Sequence, residues 1–351
     1  PGEEFENSRF WNKSKNIIIV YYYDDREDKK KQSRLDCTVL KSVVLHYDER
    51  DLAIIRDDWE TIHKKVASGH ADQLSESDTN YLAACTKGAN ASSMRNAPAP
   101  AGAESKTIRA KQRAFSFKSS FMTAIAERAL VSRVDDYSLP ISANQTLSEF
   151  LRQQMSPYIG MTVDDIAFQL NIPQSVSKAN KSLLVVRMLG VNSRDVTAIE
   201  QFRKANVTKL KTVVRYPNGL PQENMSFRQI TEEEWRELAS FDAKWGDSFL
   251  YKDFEENKLF IVPFESSVPY SQHVAGRDRL SGGFLWNMPE GDIERYVHPV
   301  WDRLHELMLS GKSVHYGRGT NLLPGTSFNG VCHLRPKGRN SKDVVNLPNG
   351  E

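Results

Sequence analysis

Cysteine is scarce and carries no pairing pattern: Cys37, Cys85 and Cys332 are the only three in 351 residues. No CxxC spacing occurs, so no disulfide framework is encoded, and a reducing cytoplasm is the expected compartment. Long apolar runs are missing too. The longest, such as Ile17–Tyr23 and Leu183–Val186, fall far short of the roughly 20 residues a spanning helix needs, and no membrane association is expected. No signal peptide opens the chain. It starts on Pro1 rather than Met, as expected of an excised piece of something longer. Glycine (19) and proline (15) are too few for a collagen-like or low-complexity chain.

Acid is nearly absent from one long stretch. Between Thr79 and Ala126 the sole carboxylate is Glu104, against Lys87, Arg95, Lys106, Arg109, Lys111, Arg113 and Lys118. Seven bases and one acid leave a local +6, whereas the whole chain carries only +2. A long basic run interleaved with Gly, Asn, Ser and Phe is the footprint of a polyanion partner; a lone solvated basic face is the plainer alternative.

What is present is globular. Hydrophobic residues make up 39% and charged residues 26%, enough apolar material for the cores of two ordinary domains. Asn16–Tyr23 and Val39–His46 read as strands, β-branched and aromatic. Asp51–Gly69 reads as an amphipathic helix: Leu52, Ile55, Trp59, Ile62 and Val66 recur three or four residues apart, with Gly69 as the terminator. Leu82–Ala84 is a short strand before a Lys87–Ser93 loop, and Phe115–Leu130 runs from a strand end into a helix. After a boundary near Leu139–Asn144, helices are expected at Leu147–Met155, Thr162–Leu170 and Lys181–Leu189. Lys209–Tyr216 is a strand closed by Pro217-Asn218-Gly219, with Met225–Ile230 as its expected hairpin partner. Lys258–Phe264 is another strand, Asp292–Gly311 a long helix, and Val331–Leu334 a last strand.

The chain repeats itself. Trp59 to Gly69 spans ten residues with His63 four after the Trp and Ser68 before the Gly; Trp301 to Gly311 does the same with His305 and Ser310. Lys87-Gly88-Ala89-Asn90-Ala91 pairs with Lys337-Gly338-Arg339-Asn340-Ser341, and Phe10–Val20 pairs with Phe249–Val262. Three matched blocks in one order argue for duplicated domains. The two histidines read as helix-surface residues, and His305-Glu306 lacks the second His of a zinc-protease helix.

The block Tyr81–Asn96, followed by Arg109–Lys118, closely resembles the Sau-type restriction endonucleases that cut at GATC, and more distantly the mismatch-repair nickase MutH. The resemblance covers nearly the whole chain, Arg335-Pro336-Lys337 being similar to MutH's own Arg-Pro-Lys loop and Pro157–Gly190 to the family's helical arm. It implies an α/β fold class: two tandem MutH-like PD-(D/E)xK restriction-endonuclease folds, each a mixed central sheet flanked by helices. Residues 1–138 would be the C-terminal part of the first, catalytic copy. Residues 139–351 would be a second copy, degenerate in catalysis and acting as a DNA-binding effector domain.

The resemblance also implies Mg²⁺, held by an Asp and the Glu of a strand-borne E-x-K whose Lys serves the attacking water. In the second copy that strand reads Lys209-Leu210-Lys211, and the family's other acidic positions fall on Phe202 and Val186. An ammonium replaces a metal ligand, so this copy is expected to be catalytically dead. The first copy's E-x-K strand is expected before Pro1; Glu3, Glu4 and Glu6 do not form it, so this chain alone is expected to be inactive, with no Mg²⁺ ligands of its own. Lys13 matches a lysine the family keeps near the active centre, with Lys252 as its echo; a plain surface hairpin lysine is the competing reading.

For DNA contact the resemblance singles out Lys87, Gly88, Asn90, Arg113, Ser116 and Lys118 in the first copy, and Arg335, Pro336, Lys337, Arg339 and Asn340 in the second, with Lys342. Lysine can donate to guanine O6 and N7, and asparagine can pair with adenine N6 and N7. Arg113, Lys118, Arg339 and Lys342 are expected on phosphates. Ser116 stands where MutH has a tyrosine near the adenine methyl group, so methylation sensitivity is left open. The expected partner is double-stranded DNA containing GATC, with self-association on DNA and a cognate methyltransferase as genetic partner. The competing readings are a non-catalytic GATC-binding module and a MutH-like nickase, the latter disfavoured because MutH is single-copy.

Overall fold

The computed structural model describes residues 3–24, 33, 35, 37–87, 93–130, 137–142, 144–172, 178–193, 195–311, 322–335 and 347–348. In chain order the elements are α1 (Arg9–Ser14), β1 (Ile17–Tyr23), β2 (Thr38–Leu45), α2 (Glu49–Ala67), β3 (Leu82–Thr86), β4 (Met94–Pro98), β5 (Thr107–Lys111), β6 (Arg113–Phe117) and α3 (Ser119–Leu130). There follow α4 (Leu147–Met155), α5 (Val163–Gln169), α6 (Lys178–Met188), α7 (Glu200–Lys204), β7 (Val207–Arg215), α8 (Glu232–Leu238), α9 (Phe249–Glu256), β8 (Lys258–Glu265), β9 (Arg279–Leu280) and β10 (Phe284–Trp286). Last, α10 (Glu290–Asp292) passes through a π turn (Ile293–Val297) into α11 (His298–Ser310).

Local chemistry explains the helix limits. Asp48 caps α2 by accepting from the Asp51 N–H, and Ile55, Trp59 and Ile62 form its buried stripe. Gly69 ends it at φ +86, and a Cβ there would lie 2.2 Å from Pro100 N, so both backbone angle and space demand glycine. Thr146, Thr162 and Thr231 open α4, α5 and α8 with reciprocal capping boxes.

Two compact units result. The first comprises Pro1–Leu74, Asp78–Gln222 and Lys258–Trp286. Its mixed sheet has the order β10-β8-β7 with β9 also on β8; β7 and β8 run parallel and the other pairs antiparallel. Three further antiparallel pairs, β1–β2, β3–β6 and β4–β5, belong to the same unit. One core gathers residues from Phe5 to Leu280, with Tyr81, Phe121, Phe202 and Phe260 fully buried, and with Leu139 and Ile141 inside it. The second unit comprises Ser75–Ser77, Glu223–Asn257 and Asn287–Glu351. Its core is Trp235 and Leu238 of α8 against Val300, Trp301, Leu304, Leu307 and Met308 of α11.

Two expected strands are absent. Met225–Ile230 does not pair with β7. The Pro217–Gly219 turn closes on itself through Gly219 N–H to Tyr216 O, 2.7 Å, and leaves only one bridge, Arg215 to Pro221. Proline has no N–H to extend that ladder, and β7 takes β8 instead. Val331–Leu334 forms no strand either.

Each unit contains the same small assembly. A 3-10 turn (Phe5–Asn7 or Trp245–Asp247) leads to a buried serine, Ser8 or Ser248, that caps α1 or α9. The aromatic of the turn meets Trp59 at 5.9 Å in the first unit and Trp301 at 6.0 Å in the second. It meets Trp11 at 5.1 Å or Tyr251 at 5.3 Å. Each helix tryptophan stacks on the histidine one turn later, Trp59 on His63 at 4.7 Å and Trp301 on His305 at 4.8 Å. The paired spacing in the sequence thus reflects a packing requirement: position i+4 lies over position i on a helix.

Candidate nucleic-acid interface

The acid-poor stretch folds into β3, β4, β5 and β6. Thr86 of β3 pairs with Arg113 of β6, and Ala83 with Ser116. Lys87, one residue beyond β3, is exposed and anchored by its own N–H to Gln112 O, 2.7 Å; the Gln112 N–H reaches Ser93 O, 2.9 Å. The foot of the Lys87 loop is therefore tied down, and the lysine side chain stays in solvent. Arg113 is half-buried and donates to Ala84 O at 2.7 Å. Ser116 is half-buried beside exposed Phe115.

Arg95 of β4, Lys106 just before β5 and Arg109 of β5 are exposed, and Arg109 donates to Asn96 Oδ1 across the ladder at 3.2 Å. Arg95 and Arg109 belong with Lys87 as candidate contacts. The acid-poor run contained them, but nothing in it showed that they would share a two-stranded ladder.

Lys118 is placed otherwise than expected for a phosphate contact. It is 9% exposed, and its ammonium donates to Thr79 O at 2.7 Å while its N–H donates to Tyr81 O. Lys13 is exposed on the last turn of α1, a helix capped by Ser8 rather than a hairpin. Arg335 is exposed. Gly88, Asn90, Pro336, Lys337, Arg339, Asn340 and Lys342 lie outside the described residues.

β7, where the sequence reading expects the counterpart of the family's catalytic strand, carries Lys209 and Lys211, both half-buried. Phe202 is fully buried and packs edge-on against Phe260 at 5.5 Å, and Val186 is fully buried. Both residues, read from the sequence as the family's acidic positions, lie in apolar core.

An acidic cluster that the sequence did not announce lies elsewhere in the first unit. Asp48, Asp51 and Glu200 bring carboxylate oxygens within 4.8 Å of one another. Lys204 already answers their charge, donating to both oxygens of Asp51 at 2.6 Å and to Glu200 at 2.7 Å. Burial raises the Asp51 carboxyl, with Lys204 opposing; for Glu200 burial also pushes up, but the Lys204 charge and hydrogen bond win and hold it below its usual value. With the Lys204 ammonium already paired to Asp51 and Glu200, these residues do not fit a resident Mg²⁺.

Residues 1–58 match the family described as DNA mismatch repair enzyme MutH. MutH proteins from two strains of Haemophilus influenzae, 86-028NP and Rd KW20, are 27% and 28% identical over 57% of this chain and 82% of their own length. The type II restriction enzyme Sau3AI of Staphylococcus aureus is 30% identical over 96% of this chain and 70% of its own. The chain belongs to the family of that type II restriction enzyme, a MutH-like group of α/β proteins.

Proposed function

We propose that this chain binds double-stranded DNA at GATC, and that the whole protein is a Mg²⁺-dependent, site-specific deoxyribonuclease of the type II restriction class. The observation carrying the DNA reading is the exposed basic set Lys87, Arg95, Lys106 and Arg109 on a stretch with Glu104 as its sole acid. Arginine and lysine there neutralise phosphates and confer steep salt dependence, while a tethered loop brings side chains to base edges.

The two copies are residues 1–138 and 139–351, and the paired serine-capped assemblies with their Trp–His stacks support the duplication. The copies share packing rather than forming separate cores: Leu139 and Ile141 join the core that holds Phe5 and Trp59. A methyltransferase protecting the same site is the genetic partner, and self-association on DNA is part of the proposal. No helix among the described residues is long and apolar enough to cross a membrane, and a cytoplasmic location follows from the proposed role.

A second reading, a GATC-binding effector module without cleavage, is favoured for residues 1–351 by Lys209, Lys211 and Phe202 in the catalytic positions and by Lys204 in the acidic cluster. Incubated with Mg²⁺ and a GATC-bearing plasmid, these residues are expected to leave the DNA uncut while retaining a GATC duplex over a scrambled one. Cut plasmid overturns the effector reading, and equal retention overturns GATC recognition. Arg335→Ala and Lys337→Ala should each weaken GATC binding more than scrambled binding; equal loss on both duplexes assigns them to phosphates only.

A further inference from the structure

The segment leading into β3 is held by charges with no place in the function proposed so far. Asp58 of α2, fully buried, accepts three consecutive backbone N–H groups: Asn80 at 2.7 Å, Tyr81 at 2.6 Å and Leu82 at 2.9 Å. Lys258, the first residue of β8 and also buried, donates to Asn80 Oδ1 at 3.1 Å. Lys118 holds Thr79 O from just before α3, and Lys65 of α2 pairs with Asp78 at 2.7 Å. Residues 78–82 are thus gripped from α2, from Lys118 between β6 and α3, and from β8 at once, and the four strand residues Ala83–Thr86 separate this grip from Lys87.

The grip contains a part whose charge can change. The groups facing the Lys258 ammonium are Lys118, Asp58, Asp78 and Asp57, together with the Asn80 amide. Burial, and then the like charge of Lys118, lower its pKa from the ordinary 10.5 to about 7, against the attraction of the three aspartates. Burial pushes Asp58 up to about 6 against the pull of its three N–H donors and of the Lys258 charge, and that donor geometry suits the ionised carboxylate.

We propose that Lys258 is a proton-controlled positioning residue for Lys87: in its charged form it draws Asn80, and with it the start of β3, into the place that presents that lysine. This rests on the DNA-binding reading above and adds a residue, and a regulation, that the base-contact argument does not contain. A charged donor makes a stronger hydrogen bond to Asn80 Oδ1 than a neutral amine does. Lys258 touches no DNA in this account and acts only through β3.

The stability consequence has a definite sign. The folded chain releases the Lys258 proton near pH 7 and the unfolded chain holds it to about its ordinary value, so between these the unfolded state binds more protons and stability rises with pH. Lys258→Met removes that rise.

The test follows the Asn80, Tyr81 and Leu82 amide resonances from pH 5.5 to 8.5 without DNA, and measures GATC-duplex affinity over the same range. The three amides are expected to show a step near pH 7 in the wild type, distinct from the titration of their acceptor Asp58 near 6, and Lys258→Met is expected to lose that upper step. GATC affinity is expected to fall about fivefold from pH 6 to pH 8, the difference between a charged and a neutral hydrogen bond, and to lose that step in the variant. Asn80→Ala keeps the ammonium and removes its acceptor; it should abolish the affinity step even if Lys258→Met folds poorly. Amides without that upper step, or variant and wild-type affinity profiles that run parallel, overturn the inference. The upper step in a protein with no preference for GATC over a scrambled duplex would leave the Lys258 coupling standing and sink the DNA reading instead.

Discussion

Lys204→Met should destabilise the first unit by about 3–5 kcal/mol, the usual cost of removing one partner from a buried ion pair. Asp51, Glu200 and Lys204 are all buried, and the ammonium sits 2.6–2.7 Å from both carboxylates. Methionine fills comparable volume, so the loss reads electrostatics rather than a cavity. It leaves two carboxylates close together with no counter-charge, and they respond by binding protons. Their folded-state pKa values then stand above the unfolded ones, so the variant's deficit is largest at neutral pH and narrows as pH falls toward the ordinary carboxylate range. Urea unfolding at pH 7 and pH 4.5 measures both parts. A loss under about 1 kcal/mol, as for exposed pairs, or a deficit that does not narrow in acid, would show that Lys204 is not the keystone of this cluster. Adding Mg²⁺ or Mn²⁺ should leave the wild-type unfolding midpoint unchanged, because the ammonium already fills the site; a concentration-dependent rise would reinstate the cluster as a metal site.

Lys87→Ala should lower GATC-duplex affinity by about 10- to 100-fold, the 1–3 kcal/mol that a good base contact contributes. A scrambled duplex should lose much less. Lys87 is exposed, its backbone is secured to Gln112 O, and its substitution touches no core, so misfolding does not compete as an explanation. Fluorescence anisotropy against salt separates it from its neighbours. Arg109→Ala should weaken both duplexes alike and flatten the slope of log K against log salt by about one phosphate's worth. Lys118→Met should cost stability and leave that slope unchanged, because its ammonium is spent on Thr79 O inside the protein. A flatter slope in the Lys118 variant would return it to the phosphate-binding set.

Much of the scaffold was readable in advance. The apolar spacing of Leu52 to Val66 with Gly69 behind it marks α2, and the Thr-x-x-Glu and Thr-x-x-Asp starts mark α4 and α5. These signals are short-range, the product of helical periodicity and of orphan N–H groups that need nearby acceptors. The β7 partner was not readable, because the Pro217–Gly219 turn looks like a hairpin and nothing local shows that Pro221 ends the ladder. The candidate interface was legible as composition only. Acid-poor sequence announced basic character, but sent Lys118 to the surface, and whether a lysine faces water depends on the strand and helix packed around it.

By itself the sequence determined that α2, α4 and α5 form and roughly where they start and stop, that one stretch is basic, and that two halves echo each other. All of these are properties of neighbours a few residues apart or of residue identity. The tertiary structure alone decided that Asp51 meets Lys204 across 153 positions, that Asp58 holds three amides of the β3 approach, and that Lys258 lies buried beside Asn80. Such pairings arise because close packing forces a buried charge or amide to find its partner in whatever segment the fold lays against it, and no local pattern records which segment that is.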